Sequence, residues 1–153
     1  MTREKPKITA VLATFLLVVS VISSRAWCDI LYVKQGSQGA NGSSWADAYG
    51  SLQQAIDAAD SSDQIWVAKG LYKPDSNGLA NQRAASFRMK NGVSIYGGFA
   101  GFEEPGFDIN DRDLVANETI LSGDLLGNDT TGLDGSEFLN DPNRAENCYH
   151  IFY

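Results

Sequence analysis

Short strands of β-branched and aromatic residues recur along this chain at near-constant spacing, which restricts the folds open to it. Ile65-Trp66-Val67, Val93-Ser94-Ile95-Tyr96, Thr119-Ile120-Leu121 and Tyr149-His150-Ile151-Phe152 read as strands by residue type. Between the markers Ile65, Ile95, Leu121 and Ile151 the intervals are 30, 26 and 30 residues. A period of about 20–50 residues is the mark of a solenoid, whose turns bury their apolar faces only against one another. The last rung coincides with the C-terminus. The expected solenoid is therefore cut short, with an open final rung prone to self-association.

The segments before the ladder read differently. Residues 1–26 have the three parts of a secretion signal: a basic start (Arg3, Lys5, Lys7), an apolar stretch over 8–22, and the small-x-small site Ser24-Arg25-Ala26. The apolar stretch is 15 residues long, short of the roughly 20 that a spanning helix needs. Cleavage before Trp27 is expected, with an uncleaved anchor as the alternative. Asp29-Ile30-Leu31-Tyr32-Val33 follows as a strand. Ser51 and Gln54 then form a capping-box pattern, and Leu52, Ala55, Ile56 and Ala59 make one apolar stripe on a short helix ending near Asp60. Only Leu52 and Ile56 are large, so burying that stripe is worth about 3–6 kcal/mol.

Charge narrows the partners. The chain carries −7, of which residues 1–26 contribute +3, leaving −10 on the remainder. Such a surface repels phosphate backbones and anionic lipid heads, which argues against nucleic acid and peripheral membrane binding. Neutral glycans, cations or plain solubility remain compatible. Cys28 and Cys148 are the only cysteines. In an exported chain they either pair or stay as two separate thiols.

Several runs resemble the N-terminal region of bacterial right-handed parallel β-helix repeat proteins. They are SSWADAYGSLQQAIDAA (43–59), DQIWVAKGLYKP (63–74), ASFRMKNGVSIYGGFAG (85–101) and TILSGDLLGND (119–129), in the family's order. The resemblance implies a pectin-lyase-like fold in an exported surface protein. The implied organisation is a signal peptide over 1–26, an N-terminal strand and capping helix over 27–62, and incomplete first coils over 63–153. The fold class is thus mainly β. The motif around ENCYHIF (146–152) is where such proteins enter further coils. Lyases and glycosidases on this fold use Asp or Glu clusters, often with Ca²⁺ and an Arg or Lys base, on middle coils.

Few residues stand out for chemistry. His150 is the only histidine and has no base partner at meaningful spacing. The acidic loop Asp124 to Asp129, with Asp134 and Glu137 beyond it, is the best candidate for Ca²⁺, though its spacing fits neither an EF-hand loop nor the calcium-binding nonapeptide repeat, and a solvated turn is the default. No cofactor is otherwise expected. If Ile65, Val67, Val93 and Ile95 face the core, Trp66 and Tyr96 face outward on neighbouring rungs as a candidate ligand-binding platform for sugar rings. The competing reading packs them beneath two insertions, residues 73–84 and 102–112, which supply Leu79, Phe102, Phe107 and Ile109 as covers. The expected function is therefore non-catalytic adhesion or glycan contact at the cell surface. The alternatives are the N-terminal part of a polysaccharide lyase or glycoside hydrolase, or an inactive truncated product.

Overall fold

A computed structural model describes residues 28–39 and 41–153, so the signal-peptide reading of residues 1–26 lies outside the described residues. The chain is mainly β with two short helices: β1 (Ile30–Val33), α1 (Leu52–Ala58), β2 (Gln64–Ala68), β3 (Gly70–Tyr72), β4 (Ser94–Phe99), β5 (Thr119–Leu121) and α2 (Gly135–Asn140). No helix among the described residues is long and apolar enough to cross a membrane.

The strands form one three-stranded sheet in the order β1-β2-β4 and one two-stranded sheet, β3-β5, both parallel. Leu31, Ile65 and Ile95 stand in register, as do Tyr32, Trp66 and Tyr96. A third parallel contact pairs Phe87 with Phe152. Two successive stretches of chain therefore feed the same three pairings in the same order: β2, β3 and Phe87 first, then β4, β5 and Phe152. The evenly spaced ladder of the sequence is here resolved into separate ladders. Ile65 and Ile95 do pair, but Leu121 pairs with Tyr72, and Ile151 lies beside the Phe87–Phe152 contact.

The Asn91-Gly92 turn is a corner between two pairings rather than a hairpin. Phe87 before it pairs with Phe152, and β4 after it pairs with β2. Gly92 takes φ 79°, a left-handed conformation that glycine reaches without a Cβ clash.

Inside the circuit, Ile65, Val67, Tyr72 and Phe87 pack with Val33 and with the stripe Leu52, Ala55, Ile56 and Ala59 of α1. The helix thus closes one side of the core, as its periodicity predicts. Its cap departs from the pattern, because Ser51 sits at the N-cap with no side-chain hydrogen bond. Val93, Ile95, Leu121 and Ile151 touch the same core but are only partly buried.

These burials set the energetic order of substitutions. Phe87, 1% exposed, is expected to cost about 3–5 kcal/mol on Phe87→Ala. Ile120, 43% exposed on β5, should cost under about 1 kcal/mol on Ile120→Ala. Urea midpoints of the two variants check the order, and equal losses would contradict the placement of the core.

Candidate functional site

The outer face of the three-stranded sheet carries Tyr32, Trp66 and Tyr96 side by side in register. A bulge then alters it. Trp66 opposes Tyr96 but Ala68 opposes Phe99, so β4 holds one extra residue around Gly97 and Gly98. Gly98 has φ 92°, and a Cβ there would lie 2.5 Å from Leu114 Cδ2. Beyond the bulge, Phe99 stacks on Trp66 with centroids 4.5 Å apart and planes 14° from parallel. Tyr32 meets the Trp66 ring edge-on at 5.9 Å, and Trp66 Nε1 donates to Gln64 Oε1 at 3.0 Å.

Trp66 is consequently 5% exposed and packs rather than presents a face. Tyr96 is half-buried, with the Arg112 guanidinium 5.3 Å from its ring centre. Of the covering residues expected from the insertions, Phe107 reaches Phe99 at 6.1 Å. Leu79 and Phe102 stay exposed. The main cover comes from Phe99 and Tyr32, which the alternation of β2 with β4 does not reveal because the bulge breaks it.

The acidic loop forms a compact cluster, with a different membership from the one expected. Asp124, Asp129 and Glu146 bring carboxylate oxygens within 4.8 Å of one another. Asp134 and Glu137 are instead the two halves of a capping box at the start of α2. Asp124 accepts from the backbone N–H groups of Gly127, Asn128 and Asp129. Asp129 accepts from Arg144 Nη1 at 3.3 Å and from Asn147 Nδ2 at 2.9 Å, and Glu146 accepts from Leu125 N at 3.3 Å. Lys73 Nζ reaches Leu125 O at 3.4 Å and places a further cation beside the cluster.

Partial burial pushes the Asp124 carboxyl up, but the N–H groups of Asp129, Gly127 and Asn128, together with Lys73, outweigh it and hold its pKa below the ordinary value. Glu146 goes the other way, raised first by burial and then by the Asp124 charge. Two carboxyls driven apart in this way suit an acid–base pair where a substrate can reach both. Here their oxygens already serve loop N–H groups. The three carboxylates can hold a hard cation such as Ca²⁺. Arg144, paired with Asp129, and Lys73, close enough to act on the Asp124 charge, already supply two positive charges beside them.

Elsewhere, Cys28 and Cys148 are free thiols, and burial raises the Cys148 pKa. His150 is exposed on the last stretch. It lines a groove between α1, the loop around Asp75, and residues 149–153, which no local pattern in the sequence marks. No family model, curated protein or solved structure matches the chain.

The cluster makes a pH-dependent prediction. Asp124, with a depressed folded pKa, contributes stability that is present above its unfolded pKa and lost as pH falls through the folded value. Glu146, with a raised folded pKa, contributes stability that is present below its unfolded pKa and lost as pH rises through the folded value. Glu146→Gln is therefore expected to raise the Tm slightly at pH 7 and to leave it unchanged near pH 4, whereas Asp124→Asn lowers it at pH 7. Thermal melts with and without millimolar Ca²⁺ should coincide. A Ca²⁺-dependent rise in the unsubstituted protein, absent from Glu146→Gln, would make the triad a cation site instead.

Proposed function

We propose that this chain is an exported, non-catalytic surface protein built on a right-handed parallel β-coil scaffold and acting by contact with extracellular glycan. The observation that carries the reading is the repeated order of pairings, in which β2, β3 and Phe87 are followed by β4, β5 and Phe152 on the same three partners. A chain that revisits the same three parallel ladders is advancing by coils. The runs that resemble β-helix repeat proteins fall on those strands, and the packing of α1 on the core beside β1 and β2 supports reading it as a capping helix. Export is supported by the composition of residues 1–26.

The alternative is the N-terminal part of a polysaccharide lyase or glycoside hydrolase. It asks for a pair of available carboxylates at a cleft, whereas of the two that line the groove beside α1, Asp57 is already bonded to Gln53 and paired with Arg88, leaving Asp75 alone.

The two ends of the sheet also differ. The outer edge of β1 is bonded to its own chain: Tyr32 N donates to Gly42 O at 2.8 Å, and Tyr49 supplies both a donor and an acceptor. Helix α1 covers the core beside β1 and β2. At the other end β4 and β5 each have one strand neighbour, and Ile95, Leu121 and Ile151 are partly open. The edge of β4 is therefore the surface through which we propose that two copies associate, as a two-fold dimer.

Three measurements test these statements. Expression in a bacterial host should yield a secreted or periplasmic product whose N-terminus is Trp27, and retention of Met1 would contradict export by a cleaved signal. The product should bind polysaccharide without releasing reducing ends, and catalytic release would favour the enzyme reading. Sedimentation should show a concentration-dependent dimer that Ile95→Lys abolishes. A monomer at high concentration, or a dimer untouched by Ile95→Lys, would overturn the end-to-end contact.

A further inference from the structure

The groove between α1, the loop around Asp75 and the last stretch of chain has a volume of about 690 Å³, within the roughly 300–1,000 Å³ of small-molecule sites. Its composition differs from that of the aromatic face on the sheet. Two tyrosine rings stand largely open in it, Tyr149 at 55% and Tyr153 at 89% exposure. Taking glycan contact as the function, as proposed above, we infer that this groove is the contact site and that its ligand is a neutral oligosaccharide.

The geometry fixes one wall of the groove in place. Arg83 lies with its guanidinium carbon 4.5 Å from the Tyr149 ring centre, and its Nε donates to Asn147 O at 2.8 Å. The backbone locks the same pair, since Tyr149 N donates to Arg83 O at 2.8 Å. Tyr149 is thereby held in place before any ligand arrives, which lowers the ordering cost of binding. On the opposite wall, Gln53 Nε2 donates to Asp57 Oδ1 at 2.7 Å while Arg88 N donates to Gln53 Oε1 at 2.8 Å. Arg88 Nη2 lies 3.6 Å from Asp57 Oδ2.

Hydrogen-bonding capacity is left over between these walls. Among the described residues, Asp75 accepts only from Asn77 N, at 2.8 Å, and the side-chain amides of Asn77 and Gln54 have no partner. The terminal nitrogens of Arg83 are also free of protein acceptors. Planar carboxylate, amide and guanidinium groups beside open aromatic rings suit a sugar: the planar groups address neighbouring hydroxyls, and the rings take its C–H faces.

Charge selects within that class. Asp57 and Asp75 balance Arg83 and Arg88 along the groove, so no net field awaits an anionic sugar. The −10 carried outside residues 1–26 disfavours polyanions further.

Calorimetric titration of the full chain with cellohexaose, xylohexaose and mannohexaose, and with hexagalacturonate as the anionic comparison, tests the site. At least one neutral hexasaccharide is expected to bind. Tyr149→Ala and Asn77→Ala, the latter a loop residue whose side chain holds nothing in place, should each weaken that binding at least tenfold at unchanged Tm. Binding that survives both substitutions would overturn the groove while leaving glycan contact standing. Loss on Tyr96→Ala alone would do the same and move the site to the sheet. Tighter binding of hexagalacturonate would overturn the neutral ligand. If no hexasaccharide binds, both the groove and the glycan-contact reading fail.

Discussion

Every strand pairing among the described residues is parallel, and parallel neighbours cannot be joined by a tight turn. Each return to a ladder requires the chain to travel round something. Between Ile65 and its partner Ile95 it passes through β3 and Phe87, and between Tyr72 and its partner Leu121 it passes through β4. That circuit encloses Ile65, Val67, Tyr72 and Phe87, whose burial is the main apolar gain available to so short a set of strands. The helix follows from the same constraint. The strands alone leave that core uncovered on one side, and the stripe of α1 packs against it there.

Much of this arrangement was legible from the chain, and the misreadings share one cause. The strands at Ile65, Ile95 and Leu121 and the stripe from Leu52 to Ala59 are local patterns of two or 3.6 residues, which sequence reports directly. Assigning Leu121 to the ladder of Ile95 failed because β3 is only three residues long and follows β2 after the single residue Lys69. The sequence marks Ile65–Val67 but no separate strand at Gly70–Tyr72, and without it the spacing does not distinguish a step along one ladder from a step between two. Gly70, with φ 149°, is the residue that turns the chain between them. The bulge at Gly97 and Gly98 hid the fate of Trp66 for a similar reason: one extra residue brings Phe99 onto its ring.

The carboxylate cluster shows where local pattern stops being informative. Asp124 and Asp129 lie in one glycine-bearing loop and were recognisable together. Glu146 joins them because Cys148 N bonds to Gly123 O, at 2.8 Å, and brings the two loops together. Asp134 and Glu137, nearer in sequence, turn instead to the N-terminus of α2, where orphan N–H groups attract them. Acidic residues in this chain go first to unpaired backbone donors. That habit explains why a protein with so few cations forms only two salt bridges among its described residues and still satisfies its loops.

The same economy separates the two aromatic surfaces. On the sheet, a ligand would have to displace Phe99 from Trp66, forfeiting a stacked pair worth about 0.5–1.5 kcal/mol beyond its buried area. It would also expose the Trp66 ring and its hydrogen bond to Gln64. Near Tyr149 nothing needs to move. The ring is already braced by Arg83, and the exposed Asp75 and Asn77 have hydrogen-bonding capacity to spare. Binding there uses groups that are already open, whereas binding on the sheet dismantles packing. The densest aromatic patch is therefore the least available one, and recognition falls to the groove where packing is incomplete.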